Sequence, residues 1–409
     1  MDVSPKQRFL DICHFKRPGE LWLSDSFWPE TLEKWTEQGA PEEIVDPSFQ
    51  REYFQFQHIC ALAEFHFLLR IRRLAGAKST AFEESREEAL LSKIDLGHGI
   101  LVSAVTRSPA VPAYEPRIIS EDERTVTLIN VAGQTAKYIK DRVEGIMPTF
   151  LDWPVKDRAT WEEHKKRLDP NTPERWPADW DGYVQKMNAK NEPLSLGVGS
   201  FYGYLREWVG SERILYMFYD DPILIEDMME QVLYLETEII KRVLKDVKIQ
   251  RAALWEDMAY KAGPLISPAM VRKFMMPRYK KITDLLHNYG VDVIYIESDG
   301  NLNELIPLWL ESGINYVRPL EVAAHNDAVA LRKKYGKDLI IAGNIDKRAL
   351  AKGKETIREE LMSKVPFLLE QGGYFPSVDH TVPADITFEN YCYYINLMRE
   401  IAGLEKLSF

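Results

Sequence analysis

The stretch "VDVIYIESDGN", Val291 to Asn301, reads as a buried strand that runs straight into acids and then into a glycine-led turn. Apolar and aromatic residues from Val293 to Ile296 suit a strand covered on both faces, and Gly300-Asn301 supplies the turn that ends it. The same pattern recurs on either side of it. "LSLGVGSF" (194 to 201), "AALWEDMA" (252 to 259), "INYVRPLE" (314 to 321), "DLIIAGNID" (338 to 346) and "GYFPSVDH" (373 to 380) are all apolar runs ending in polar residues. Each is followed by helical spacing, so six βα units in sequence predict a parallel sheet.

Helix punctuation supports this reading. Asp221-Pro222 opens a helix whose Ile225, Met228, Met229, Val232, Ile239 and Val243 form an apolar stripe, and Ser267-Pro268 opens another that ends before Gly290, with a kink expected at Pro277. In the first half, "ELWLSDSF" (20 to 27) and "GILVSAVT" (99 to 106) read as two more strands, and residues 125 to 140 as an inserted hairpin turning near Gly133. The segment 170 to 183, rich in Pro, Trp and Asp, reads as a loop. Eight strands fit a (β/α)₈ TIM barrel in a single domain over residues 1–409, with an N-terminal extension and the hairpin as decoration. No GxGxxG or GxxxxGK[ST] follows the first strand, which removes the usual phosphate-binding reason to prefer an open doubly wound sheet.

Composition narrows the function classes. A net charge of −11 without a basic patch argues against nucleic acid and anionic membrane as partners. No run approaches the roughly 18 apolar residues a membrane span needs, and residues 1–15 lack the order of a secretory signal, so a cytoplasmic location is expected. Cys13, Cys60 and Cys392 form no CxxC pair and read as small core residues.

A barrel of this kind places its active site at the C-terminal ends of the strands. Those ends are acidic: Asp25, Glu256, Asp257, Glu297, Asp299, Glu321, Asp346 and Asp379, with Asn344 and His380 among them. Converging carboxylates must be protonated, paired with cations or neutralised by a metal. Glu297 and Asp299 are two apart, so on an extended chain they leave one face, and His380 would add a nitrogen to a site for zinc, manganese or iron. The alternative is that Asp299 caps a helix starting near Leu302 while Glu297 pairs with an arginine. His380 is a candidate ligand or proton-transfer group, whereas His14, His58, His66, His98, His164, His287 and His325 read as ordinary residues. Trp28, Phe201, Tyr202 and Tyr204 are candidates to wall an organic substrate, with core packing as the other explanation, and Arg206, Arg318 and Arg348 are candidates for carboxylates.

The runs "DMAYKAGPLISP", "ESDGNLNELIPLWLESGIN", "GNIDKRAL" and "GGYFPSVDHTVPADITFENY" resemble the uroporphyrinogen decarboxylase superfamily, specifically the decarboxylase-like proteins grouped with corrinoid-dependent methyltransferases. The earlier "LDWPVKDRATWEEHKKRLDP" and "GSFYGYLREWVGSERILYMFYDDP" resemble the same branch. The resemblance implies a (β/α)₈ barrel, in agreement with the strand count. The arginine motif with which true decarboxylases hold a porphyrinogen has no counterpart in "KRPGELWLSDSFWPE". In the methyltransferase members an HxCG motif and a later cysteine bind zinc. Laid on this chain, Glu297 stands for the histidine, Asp299 for the first cysteine and His380 for the second.

The resemblance therefore implies a methyltransferase with a divalent metal, zinc foremost, on Glu297, Asp299 and His380, and with Asp257, Asp379 and His380 in catalytic roles. Trp28, Phe201, Tyr202, Tyr204 and Arg318 would bind a small O- or N-methylated, or methoxy-aromatic, donor. The acceptor would be cob(I)alamin on a partner corrinoid protein, and the chain a homodimer as in many such barrels. A metal-free decarboxylase acting on a small acid is the competing activity, and a non-catalytic carrier of a corrinoid or porphyrin the competing class.

Overall fold

The computed structural model describes residues 3–62, 67–68, 72–73, 100–101, 107–139 and 147–409. The chain divides into two compact units. One comprises Met1–Leu62, Val184–Ser200 and Ile240–Phe409, and the other Ala63–Tyr183 and Phe201–Ile239.

The first unit is built on a seven-stranded, all-parallel sheet. Its strands, in chain and spatial order, are β1 (Cys60–Leu62), β2 (Leu194–Gly197), β3 (Arg251–Trp255), β4 (Ile294–Glu297), β5 (Tyr316–Arg318), β6 (Ile340–Ala342) and β7 (Tyr374–Phe375). The unbroken order is that of a barrel, with no reversal of the kind a doubly wound sheet requires. The eighth position is taken by residues 20–27. Leu23 accepts the Gln57 N–H at 2.9 Å on the side of β1, while Ser26 accepts the Val382 N–H at 2.8 Å and Phe27 bridges Val382 in parallel beyond β7. The fold is thus a (β/α)₈ barrel whose first segment joins the two edges of the sheet.

The expected second strand, 99 to 106, lies elsewhere. Ile100–Leu101 pairs antiparallel with Arg72–Arg73, residues 102–106 fall outside the described residues, and β1 takes its place in the barrel. The apolar run around β1, Ile59–Ala63, has two alanines and only one β-branched residue, so it gives a weak strand signal. His66 and His98 also fall outside the described residues.

Helix α1 (Pro5–Cys13) begins at Ser4, whose hydroxyl accepts the Gln7 N–H, and buries Phe9, Ile12 and Cys13. These three join Trp22, Val293, Tyr295, Tyr316, Ile340, Ala342 and Phe375 in one cluster, so the N-terminal helix packs against inward-facing side chains of β4, β5, β6 and β7. The helix opened by Ser267-Pro268 passes through a π-turn over Val271–Met275 before continuing as α2 (Met276–Asn288). Pro277 falls in the first turn of α2, and the wider π-turn is how the helix absorbs a residue that has no N–H to donate. A second helix, α3 (Phe388–Ile401), is capped by Thr387 and buries Tyr391, Cys392, Tyr394, Ile395, Leu397 and Met398.

In the second unit, Arg117–Glu121, Thr125–Ile129, Thr135–Ile139 and Thr149–Asp152 form an antiparallel meander. Its central pair is the expected hairpin, and Gly133 takes the positive φ (+82°) that its turn requires. The expected loop at 170 to 183 contains a short 3₁₀ turn, Pro173–Arg175, and the start of a helix at Trp180. The long helix Pro222–Asp246 buries the whole predicted stripe, from Ile225 to Val243.

Candidate active site at the barrel mouth

The mouth is assembled by the loops that leave β3, β4 and β5 and the segment that follows β7. In the loops after β3, β5 and β6, four non-glycine residues hold left-handed backbone: Asp257 (φ +46°), Leu320 (φ +57°), His325 (φ +64°) and Asn344 (φ +67°). Such conformations cost energy and concentrate where side chains must be aimed. Gly300 is required for a different reason. A Cβ on it would lie 2.6 Å from the carbonyl carbon of Ala259 and the nitrogen of Tyr260, so only glycine lets the "ESDG" turn press against the loop after β3. That contact is closed by the Asn301 N–H donating to Tyr260 at 2.9 Å.

The acids around this turn hold it in shape. Asp257 Oδ1 accepts the Asp299 N–H at 3.2 Å, and Glu321 Oε2 accepts the Gly300 N–H at 2.9 Å. Lys347 Nζ stands 3.6 Å from Glu321 Oε1. Beside them, His380 Nε2 lies 3.5 Å from Asp299 Oδ2, and the His380 ring stacks on Trp28 with centroids 6.4 Å apart. Hydrogen bonding to Asp299 holds the imidazole's pKa above its ordinary value of 6.5, outweighing the burial that lowers it. Trp28, His380 and Asp299 are all partly open to solvent, as groups that meet a substrate must be.

Other rim acids are built into the scaffold. Glu256 is fully buried and accepts the hydroxyls of Ser200 and Tyr279, each at 2.8 Å. Asp379, also fully buried, accepts the N–H groups of Val322 (2.9 Å) and Lys347 (3.1 Å), which ties the loop after β5 to the one after β6. Burial pushes its carboxyl up despite those bonds. Asp25 accepts the Val378 N–H and the Tyr391 hydroxyl, both at 2.8 Å, and burial raises its pKa as well. Asp346 caps the short helix Lys347–Leu350 and pairs with Arg348 at 2.7 Å.

The proposed metal ligands take separate directions. The alternation that would put Glu297 and Asp299 on one face needs an extended chain through Ser298, but β4 ends at Glu297. Glu297 Oε2 accepts the Tyr295 hydroxyl at 2.8 Å, Ser298 Oγ accepts the Met258 N–H at 3.1 Å, and Asp299 faces His380. Among the described residues, no three His, Cys, Asp or Glu side chains are grouped to hold an ion. As arranged, the Glu297, Asp299 and His380 side chains are not grouped as the ligands of one ion. The capping alternative fails too, since the Leu302 N–H donates to Asn326 Oδ1 and not to Asp299.

The substrate-lining candidates divide. Trp28 reaches the mouth, whereas Phe201, Tyr202 and Tyr204 are buried within the second unit, Tyr204 stacking on Trp208 with centroids 6.0 Å apart. Arg206 pairs with Glu207 in that unit, and Arg348 with Asp346. Arg318 faces a cavity of about 160 Å³ inside the barrel, together with Trp22, Ser24, His58, Arg251 and Tyr316. A wider surface depression of about 530 Å³ is lined by Asp346, Arg348, Lys352, Glu359 and Glu360, where paired charges of both signs make an ordinary solvated groove. Arg251 escapes a reading confined to strand C-terminal ends because it stands at the start of its strand. A charged residue opening the apolar run "RAALW" was the available signal.

The model of the uroporphyrinogen decarboxylase (URO-D) family matches residues 200–401. Uroporphyrinogen decarboxylase of Hordeum vulgare is 24% identical over 277 residues, covering 64% of this chain and 78% of the barley protein. The chloroplastic uroporphyrinogen decarboxylase of Zea mays is also 24% identical over 277 residues, and the match spans 65% of its length. Among solved structures, a methyltransferase from Methanosarcina mazei superposes over 98% of this chain and 99% of its own, with a TM-score of 0.56 at 12% identity, which is a likeness of fold. The matched segment supplies β3 to β7 and the mouth loops between them, and over it the chain is similar to the uroporphyrinogen decarboxylase family.

Proposed function

We propose that the barrel mouth is an active site at which a small O- or N-methylated compound gives up its methyl group to a corrinoid carried by a partner protein. The observation that carries this reading is the Asp299–His380 pair stacked under Trp28. When the bond between the methyl carbon and its heteroatom breaks, the electron pair stays on the heteroatom. With its Nε2 toward Asp299, which keeps the imidazole charged until then, His380 would protonate it from Nδ1. The reduced corrinoid is the nucleophile that takes the methyl group.

The charges of the rim favour this donor class. Asp257, Asp299 and Glu321 surround the turn, against Lys347 and His380. Such a rim repels a substrate bearing many carboxylates and accepts a neutral methoxy-arene or a methylammonium, whose cation Trp28 can face. Arg8 and Arg17, the arginines that contact the first barrel segment, are engaged by Glu20, Leu21 and Asp11, so neither adds a carboxylate site at the mouth.

A second reading is decarboxylation of a small acid, favoured by Arg318 lining the interior cavity. His380 would then protonate the carbon left electron-rich when carbon dioxide departs. One experiment separates the two. The protein is incubated with cob(I)alamin and a panel of methoxy-arenes and methylamines, and methylcobalamin is followed by its absorbance. Formation of methylcobalamin that is lost in His380→Ala is the expected result. No methylation of any panel member, with carbon dioxide released from a small acid instead, would overturn it in favour of the second.

A further inference from the structure

The interior cavity has a chemistry of its own, opposite in charge to the mouth. Its wall carries two guanidinium groups, Arg251 from the start of β3 and Arg318 from the end of β5. Arg251 lies over the rings of Tyr295 (4.4 Å) and Tyr316 (5.8 Å), and its Nε donates to Ser195 Oγ at 3.1 Å. Among the described residues, no carboxylate comes within 4.0 Å of either guanidinium, and no side chain accepts a hydrogen bond from Arg318. The nearby acids are otherwise engaged: Asp25 by Val378 and Tyr391, Glu297 by Tyr295. Two half-buried cations facing one cavity repel each other when neither has a directly bonded anion, and that cost falls when an anion enters between them.

We propose that this cavity binds the carboxylate group of a small organic acid between Arg251 and Arg318. The guanidinium fork matches a planar carboxylate, and the hydroxyls of Ser24 and Ser377 add donors on the same wall. A volume of about 160 Å³ is the share of about five water molecules, enough for a carboxylate with a short aliphatic remainder. Trp22, Tyr316 and Phe375 line the rest, and such aromatic walls suit a hydrocarbon chain better than the hydration shell of phosphate. The charges of Glu297 and Asp25 both act on Arg318 from a distance, while the oxygens of each are bonded elsewhere and burial pushes the Asp25 carboxyl up. The inference does not rest on methyl transfer at His380.

The test is a calorimetric titration of the full chain with sodium propionate at constant ionic strength, and with inorganic phosphate in parallel. Saturable binding of propionate with a Kd of about 1 mM is expected, with phosphate clearly weaker. Arg251→Lys and Arg318→Lys keep the charge and remove the fork, so each should weaken propionate by about tenfold, while His380→Ala leaves it unchanged. If Arg318→Lys does not fold, the partly open Arg251 gives the same reading. Absence of saturation, phosphate binding as tightly as propionate, retention of wild-type affinity in the lysine variants, or loss of it in His380→Ala would each overturn the proposal.

Discussion

The barrel interior and the loops above it carry different electrostatics. Inside the barrel, Tyr295, Tyr316 and Arg318 point inward from β4 and β5, and Arg251 stacks on the two tyrosine rings. Just past the strand ends, Asp257, Asp299 and Glu321 cluster about one turn and poise His380. The cavity lining thus carries two guanidinium groups, whereas the turn at the mouth is surrounded mostly by carboxylates. The difference arises from where β4 stops: Glu297 is still in register with Arg318, whereas Asp299 has left the strand.

The strongest way to break the comparison is His380→Ala. Turnover should fall by about 10²–10⁴-fold, the usual contribution of a positioned acid, while propionate binding in the interior persists. Steady-state kinetics beside the titration decide it, and equal loss of both would mean that the regions are not separable. Gly300→Ala attacks the mouth through its backbone. The added methyl meets Ala259 and Tyr260 at φ +85°, so unfolding by urea should show a loss of about 2 kcal/mol, with reduced turnover as the turn moves.

Asp299→Asn sharpens the comparison rather than breaking it. The native imidazole has a raised pKa, so His380 stays protonated to higher pH than a free histidine. Removing Asp299 should move the basic limb of the pH–rate profile to lower pH and cut turnover near neutrality by about tenfold, which NMR titration of the imidazole can follow. The linkage has the same sign: stability from this pair is complete below about pH 6.5, is lost as pH rises through the folded pKa, and should be missing from the variant across that window. Trp28→Leu should have the smallest effect, a rise in KM of about threefold with kcat nearly unchanged, because a partly exposed stacking face contributes about 0.5–1 kcal/mol.

Much of the barrel is legible from apolar runs because buried parallel strands leave long unbroken signals, as in "VDVIYIE". The strand at Cys60–Leu62 leaves a fainter one, the short run Ile59–Ala63 with two alanines, which are poor strand formers. His380 was visible for a chemical reason, an imidazole among acids at a strand end, and the structure places it beside Asp299 and Trp28. The function of the remaining acids was not visible, because what separates Asp379 from Asp299 is which backbone N–H groups each carboxylate meets. Those donors come from loops 32 and 57 positions away for Asp379, beyond any local pattern.

The joining of residues 20–27 to both edges of the sheet also has a consequence for how the chain reaches this state. Thr31 and Trp35 bond carbonyls at Val382 and Ile386, and Asp25 accepts from Tyr391, contacts between residues more than 350 positions apart. Helix α1 meanwhile waits for Phe375 to complete its cluster. During synthesis the early segment must stay unpaired, its Trp22, Phe27 and Trp35 exposed, until nearly 400 residues have emerged. Closure is therefore a late, long-range step, and the interval before it is when this chain most needs protection from aggregation.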